Sequence, residues 1–200
     1  KEFLQDEPTQ EERNHFGQLL WDFFHDQVVE RDTIHADTHP GNFFFTEEDR
    51  LGVIDFGCVK TFPEEFTRRY LQLLPIHVKD DEKAIRDLYV DLDIVRENPD
   101  DPEKEERFFQ FCKNYGSAFA RPYKTDRFDF GDPEFKAMIN RFAKEPPIMN
   151  EPRGSKHFIY STRVHLGLYN LLMKLKAEVD TRRSRRMAES VLEELNEQDS

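Results

Sequence analysis

Between Thr9 and Val28, apolar residues recur at helical spacing, and Phe16, Leu19, Leu20, Phe23, Phe24 and Val28 fall on one stripe. Thr9-Gln10-Glu11-Glu12, following Pro8, has the form of a capping box, so the stripe predicts an amphipathic helix that starts there. Past residue 62 the same period returns several times. Pro63-Glu64-Glu65 opens a helix with Phe66, Tyr70, Leu73 and Leu74 on one face, and Pro75 is expected to end or kink it. Asp80-Asp81 can cap the next, which carries Ile85, Leu88, Tyr89 and Leu92. After the turn Asn98-Pro99-Asp100-Asp101-Pro102, a helix follows with Phe108, Phe111, Cys112, Tyr115 and Phe119. Asp132-Pro133 starts another with Phe135, Met138, Ile139 and Phe142. Pro146-Pro147 and Glu151-Pro152-Arg153-Gly154 break the pattern before a long helix from about Phe158 that carries Ile159, Leu166, Tyr169, Met173 and Leu175. All these stripes read as core. Only around residues 43–54 does the period change. Phe43-Phe44-Phe45 and Leu51-Gly52-Val53-Ile54 are short apolar runs separated by Thr46-Glu47-Glu48-Asp49-Arg50, which predicts a β-hairpin with a polar turn. The expected class is α+β, mostly α, with about six helices and one small hairpin.

The hairpin is flanked by the residues with the most chemical content, His35-Ala36-Asp37-Thr38-His39-Pro40-Gly41-Asn42 before it and Ile54-Asp55-Phe56-Gly57 at its exit. Antiparallel pairing would bring Asn42, which enters the first strand, and Asp55, which leaves the second, to the same open end. Phosphoryl transfer needs a carboxylate beside the attacking hydroxyl and oxygen ligands that hold Mg²⁺ against the nucleotide phosphates. In the protein-kinase pattern a catalytic-loop Asp is followed five residues later by a metal-binding Asn, and then by an Asp-Phe-Gly whose Asp binds metal too. Asp37, Asn42 and Asp55 keep that order. One carboxylate and one amide also match the habit of Mg²⁺, which takes one or two protein carboxylates and leaves its other positions to water and phosphate.

His-Ala-Asp-x-His-Pro-Gly-Asn followed by Ile-Asp-Phe-Gly resembles the UbiB/AarF (ADCK-like) family of atypical kinases. The resemblance implies a protein-kinase-like C-lobe with a catalytic β-hairpin over residues 1–180, followed by a polar helical tail over 181–200. It makes Asp37 the catalytic-loop Asp that orients the acceptor, and Asn42 and Asp55 the ligands of Mg²⁺ in an MgATP site. His39 takes the place of a phosphate-contacting Lys, His35 that of the structural catalytic-loop His, and Gly57 that of the glycine closing the metal loop. Thr38 departs from the Pro or Leu more usual there. About thirty residues precede the catalytic loop, too few for an N-lobe, and neither the Lys-x-Gly-Gln motif nor an Ala-rich nucleotide loop is present. The chain alone is therefore expected to be inactive. Cys58-Val59-Lys60-Thr61-Phe62 leads straight into the next helix with no Ala-Pro-Glu block, which disfavours a peptide substrate and favours a small molecule, a lipid or water. The family's links to ubiquinone and prenyl-lipid metabolism imply a lipid or quinone-biosynthesis proteins as partners. Two alternatives stand beside this reading: a small-molecule phosphotransferase like the aminoglycoside or choline kinases, and a non-catalytic half-kinase scaffold.

Composition narrows the remainder. A net charge of -12 argues against a nucleic-acid binder. Two cysteines, Cys58 and Cys112, give no disulfide framework and imply a reducing compartment, with Cys58 read as a packing residue. The absence of a long apolar run and of a signal-peptide pattern implies a cytoplasmic protein, with peripheral membrane contact as an option. Arg182-Arg183-Ser184-Arg185-Arg186 could meet anionic lipid, or could form local ion pairs with Glu189, Glu193, Glu194 and Glu197. Arg153, Lys156, His157 and Arg163 admit the same pair of readings, a polar headgroup or a salt-bridged face. Trp21, His15 and His25 read as packing or surface residues.

Overall fold

The computed structural model describes residues 2–46, 48–144 and 153–198; the Pro146-Pro147 and Glu151-Pro152 breaks, and the side chains of Ile159, Glu194 and Glu197, lie outside what it describes. A short α1 (Glu2–Gln5) precedes the predicted long helix α2 (Gln10–Arg31). Its capping box forms as expected: the Thr9 side chain accepts from the Glu12 amide and the Glu12 carboxylate accepts from the Thr9 amide. Phe16, Leu20, Trp21, Phe24 and Val28 are buried along α2, while Leu19 and Phe23 of the predicted stripe are half-buried. Gly17 completes the buried face because the chain crosses it closely: a Cβ there would lie 2.3 Å from that of Ala177.

Three strand ladders and six further helices dock around this axis. β1 (Thr33–His35) pairs antiparallel with β4 (Val59–Thr61), and β2 (Phe43–Phe45) with β3 (Leu51–Val53) in the predicted hairpin. A third ladder, unforeseen, joins β5 (Arg127–Asp129) to β6 (Glu178–Asp180). The helices are α3 (Glu64–Lys79), α4 (Glu82–Asp91), α5 (Pro102–Ala120), α6 (Pro133–Lys144), α7 (His157–Leu175) and α8 (Arg182–Gln198). That makes eight among the described residues, and the fold is mostly helical with small hairpins, as expected. Pro75 does not end α3, which runs on to Lys79. α8 packs against α3 and α2, burying Ser184 and Ala188; the Trp21 indole N–H donates to Ser184 Oγ at 3.0 Å. The arginines of α8 do form ion pairs, but with acids elsewhere in the fold: Arg183 lies 2.5 Å from Asp26 and Arg185 2.6 Å from Asp126. No helix among the described residues is long and apolar enough to cross a membrane.

Arg153 is not a surface cation. Its guanidinium lies 2.6 Å from Glu105, the two side chains are 8% and 7% exposed, and it stacks over the Phe108 ring at 4.3 Å. Burial alone would raise the Glu105 carboxyl, but Arg153 and the Arg96 amide outweigh it and hold it below the usual glutamate range.

Between α2, α3, α5 and α7 the core leaves a cavity of about 420 Å³.

Removing one partner of the Arg153–Glu105 pair leaves the other charge buried, so Glu105→Ala should cost about 3–5 kcal/mol in urea denaturation. Because the folded carboxyl is depressed, the pair's contribution is complete above the ordinary glutamate value and is lost as pH falls through the lower folded one. The wild type should therefore lose more stability than E105A on acidification.

Candidate active site

Two ladders build the site, the predicted hairpin and one that the sequence did not display. His35, at the end of β1, pairs with Val59 of β4; the next residue, Ala36, donates its amide to the Cys58 carbonyl at 2.7 Å. This ladder presents Asp37 at the top of the strand. The hairpin does the same for the other two groups. Phe43 pairs with Val53, and the Ile54 amide donates to the Asn42 carbonyl at 3.0 Å, so Asn42 and Asp55 leave the hairpin at one end. Period two sorts the phenylalanines: Phe43 and Phe45 turn inward, the latter stacked on Phe16 of α2 at 3.9 Å, while Phe44 lies outward over Gly52 opposite it. The hairpin is thereby fixed to α2.

The side chains then converge. The Asn42 amide, 8% exposed, donates through Nδ2 to the Asp37 carboxylate at 2.9 Å, which leaves Oδ1 as its atom for a cation. That hydrogen bond chiefly, with help from the His39 backbone N–H and the charge of Arg163, holds Asp37 below the usual aspartate range. His39 is exposed; its Nδ1 accepts the Gly41 amide at 3.1 Å and so caps the turn Pro40–Asn42. Asp55 is exposed and takes a left-handed backbone, φ 60°, with one carboxylate oxygen accepting the Gly57 amide at 3.2 Å. Buried His35 ties the two loops together: its Nε2 lies 3.0 Å from the Asp55 carbonyl, which can only accept, so Nε2 carries the proton. Phe44, Ile54, Phe56 and Val59 are large apolar side chains left exposed in this region.

Sequence reasoning missed the role of α7. Arg163 and Gly167, four residues apart on one face, lie toward the catalytic loop. A Cβ on Gly167 would sit 1.7 Å from Thr38 Oγ1 and 2.4 Å from Thr38 Cβ, so the loop rests directly on the helix backbone. The nearest available signal was a glycine inside a strong helical pattern.

No group of three or more His, Cys, Asp or Glu among the described residues is gathered closely enough to hold a metal ion on its own. An Asn42 amide oxygen and an Asp55 carboxylate suit Mg²⁺, whose remaining ligands come from phosphate and water.

This constellation lies wholly inside a stretch with known relatives. Residues 3–89 match the family model of the ABC1 atypical kinase-like domain. The match covers the catalytic loop and the hairpin but less than half of the chain. Beyond the ABC1 segment the fold still has a counterpart: the structure of the Rv3197–erythromycin complex from Mycobacterium tuberculosis superposes with a TM-score of 0.67 at 19% identity, over 92% of this chain and 44% of that one. The chain thus spans less than half the length of that neighbour, and the likeness is one of fold. No curated protein sequence matches.

Gly167→Ala must push Thr38 away. It should destabilise the protein by about 1–3 kcal/mol in urea denaturation, and Thr38→Gly in the same chain should restore most of the loss; no recovery would mean that the crowding lies elsewhere.

Proposed function

We propose that this chain is the C-lobe of a UbiB/AarF-type atypical kinase or ATPase that binds MgATP and transfers or hydrolyses its γ-phosphate. The observation that carries the reading is the Asn42–Asp37 hydrogen bond at the end of a hairpin that also delivers Asp55. Asn42 and Asp55 hold Mg²⁺, which when bound neutralises charge on the nucleotide phosphates. Asp37, held ionised, is too weak a base to take a proton early; it accepts a hydrogen bond from the attacking hydroxyl or water and fixes its direction. His39 stands beside Asp37 in position to meet a phosphate oxygen. Gly57 gives the amide that orients the Asp55 carboxylate. The short passage from Asp55 to α3 leaves little chain to cradle a peptide, so the acceptor is water, a small molecule or a lipid of prenyl-quinone metabolism. The ABC1 match favours this over an aminoglycoside- or choline-kinase-like enzyme.

Asp55→Asn should weaken Mg²⁺-dependent ATP binding by at least about tenfold in calorimetry, a scale already reached by outer-shell partners of metals. Binding that is unchanged would sink the metal assignment. Asp37→Asn should instead leave nucleotide binding intact and abolish turnover of the protein carrying both lobes.

The depressed Asp37 adds a pH signature. Its charged form persists to below the ordinary aspartate value of about 3.9, so the rate profile should show no acidic limb near pH 5–6 from this group; a limb there that Asp37→Asn removed would contradict its orienting role.

A further inference from the structure

The cavity behind the catalytic loop is separate from the nucleotide site and is lined almost wholly by carbon. Tyr70, Leu74, Phe111, Phe119, Phe158 and Leu168 form much of its wall. Tyr70 and His165 both line this space. The polar groups on the wall are largely engaged with one another. Tyr70 pairs with His165 Nδ1 at 2.7 Å, Tyr123 with His25 Nε2 at 2.6 Å, and Tyr89 with His77 Nε2 at 2.9 Å. Burial pushes His25 and His77 down to about 4 and lowers His165, so the wall imidazoles are neutral at physiological pH. Arg153 reaches the rim but is neutralised by Glu105. The Tyr115 ring lines the space, but its hydroxyl is sealed from it.

These facts decide what can fill the space. The lining is mostly apolar, so the space favours apolar groups over water. A charged ligand would be buried without a counter-charge. The size lies within the range of small-molecule sites, about 300–1,000 Å³.

We propose that this cavity is a binding site for a neutral, mainly apolar small molecule. The free ligand and the tail of a larger amphiphile share this chemistry, and chain-length dependence separates them: affinity that stops rising once the chain fills the cavity marks a free ligand, and affinity that rises further marks a tail whose head lies outside.

The test uses thermal denaturation of the purified protein without nucleotide, with 1-decanol and decanoate as probes and longer 1-alkanols for the length series. Decanol should raise the melting temperature saturably, and decanoate at equal concentration should not. Thr162→Trp and Leu71→Trp each fill the space from a different helix, and whichever folds should lose the decanol response. Asp55→Asn should respond like the wild type, so failure of the nucleotide assignment leaves this result standing. The proposal is overturned if decanol does not stabilise the wild type, if decanoate works equally well, if the response survives in a folded filling variant, or if Asp55→Asn abolishes it.

Discussion

The bond from the His35 ring to the Asp55 carbonyl ties together two loops whose ends are set by the β1–β4 ladder and the hairpin. Each is short, and the placement of the carboxylates they carry depends on that register. The ring is fully buried, tucked against Phe43 of the hairpin and edge-on to Phe56. The Asp55 backbone it holds is left-handed, a conformation that costs a non-glycine residue about 1 kcal/mol or more. That cost is offset by the imidazole on the carbonyl and by the Gly57 amide on the side chain, both of which require this turn. Upstream, the Gln27 side chain accepts the His35 amide at 2.8 Å, so the last turns of α2 set the height of the same residue. The site is therefore hung from α2 through β1 and through the stacked Phe45, and the hydrophobic stripe of that helix is a condition for the chemistry above it.

The parts of this arrangement that the sequence displayed were those in which neighbours along the chain are neighbours in space. Asp37 and Asn42 are five residues apart and bond directly; the hairpin that carries Asn42 to Asp55 has its turn residues between its strands. The capping box of α2 is likewise local. What stayed hidden depends on partners far along the chain. β1 and β4 are three residues each, too short to show a period, and pair across the intervening hairpin. Arg153 looked like a surface cation because its carboxylate is 48 residues away. The arginines of α8 suggested the glutamates that follow them, but α2 and Asp126 lie closer in three dimensions. The stripe of α5 was legible, yet stripes do not distinguish a face that meets another helix from one that meets a void. Phe111, Tyr115 and Phe119 read as core and line the cavity.

α7 shows how the site and the cavity can share a wall without sharing a function. At about 100° per residue, Ser161, Val164, His165 and Leu168 fall on one side of the helix, and each lines the cavity. Arg163 and Gly167 fall on the other, where Arg163 contributes charge to Asp37 and Gly167 supports Thr38. Two faces of one helix are separated by its backbone, a cylinder roughly 5 Å across before side chains are added. A ligand in the cavity therefore does not touch Asp37.

What such a ligand could change is the freedom of α7. The catalytic loop lies against bare backbone at Gly167, with no side chain between them to absorb a displacement, so any shift of the helix passes directly to Thr38 and to Asp37 beside it. An unfilled cavity deprives the opposite face of packing partners and leaves the helix room to move. Filling it restrains the loop from behind, by the same dispersion contacts that hold any core helix in place. Positional precision at Asp37 thus depends on two packings, the polar one in front that Asn42 supplies and the apolar one behind it, and only the first belongs to the kinase motif.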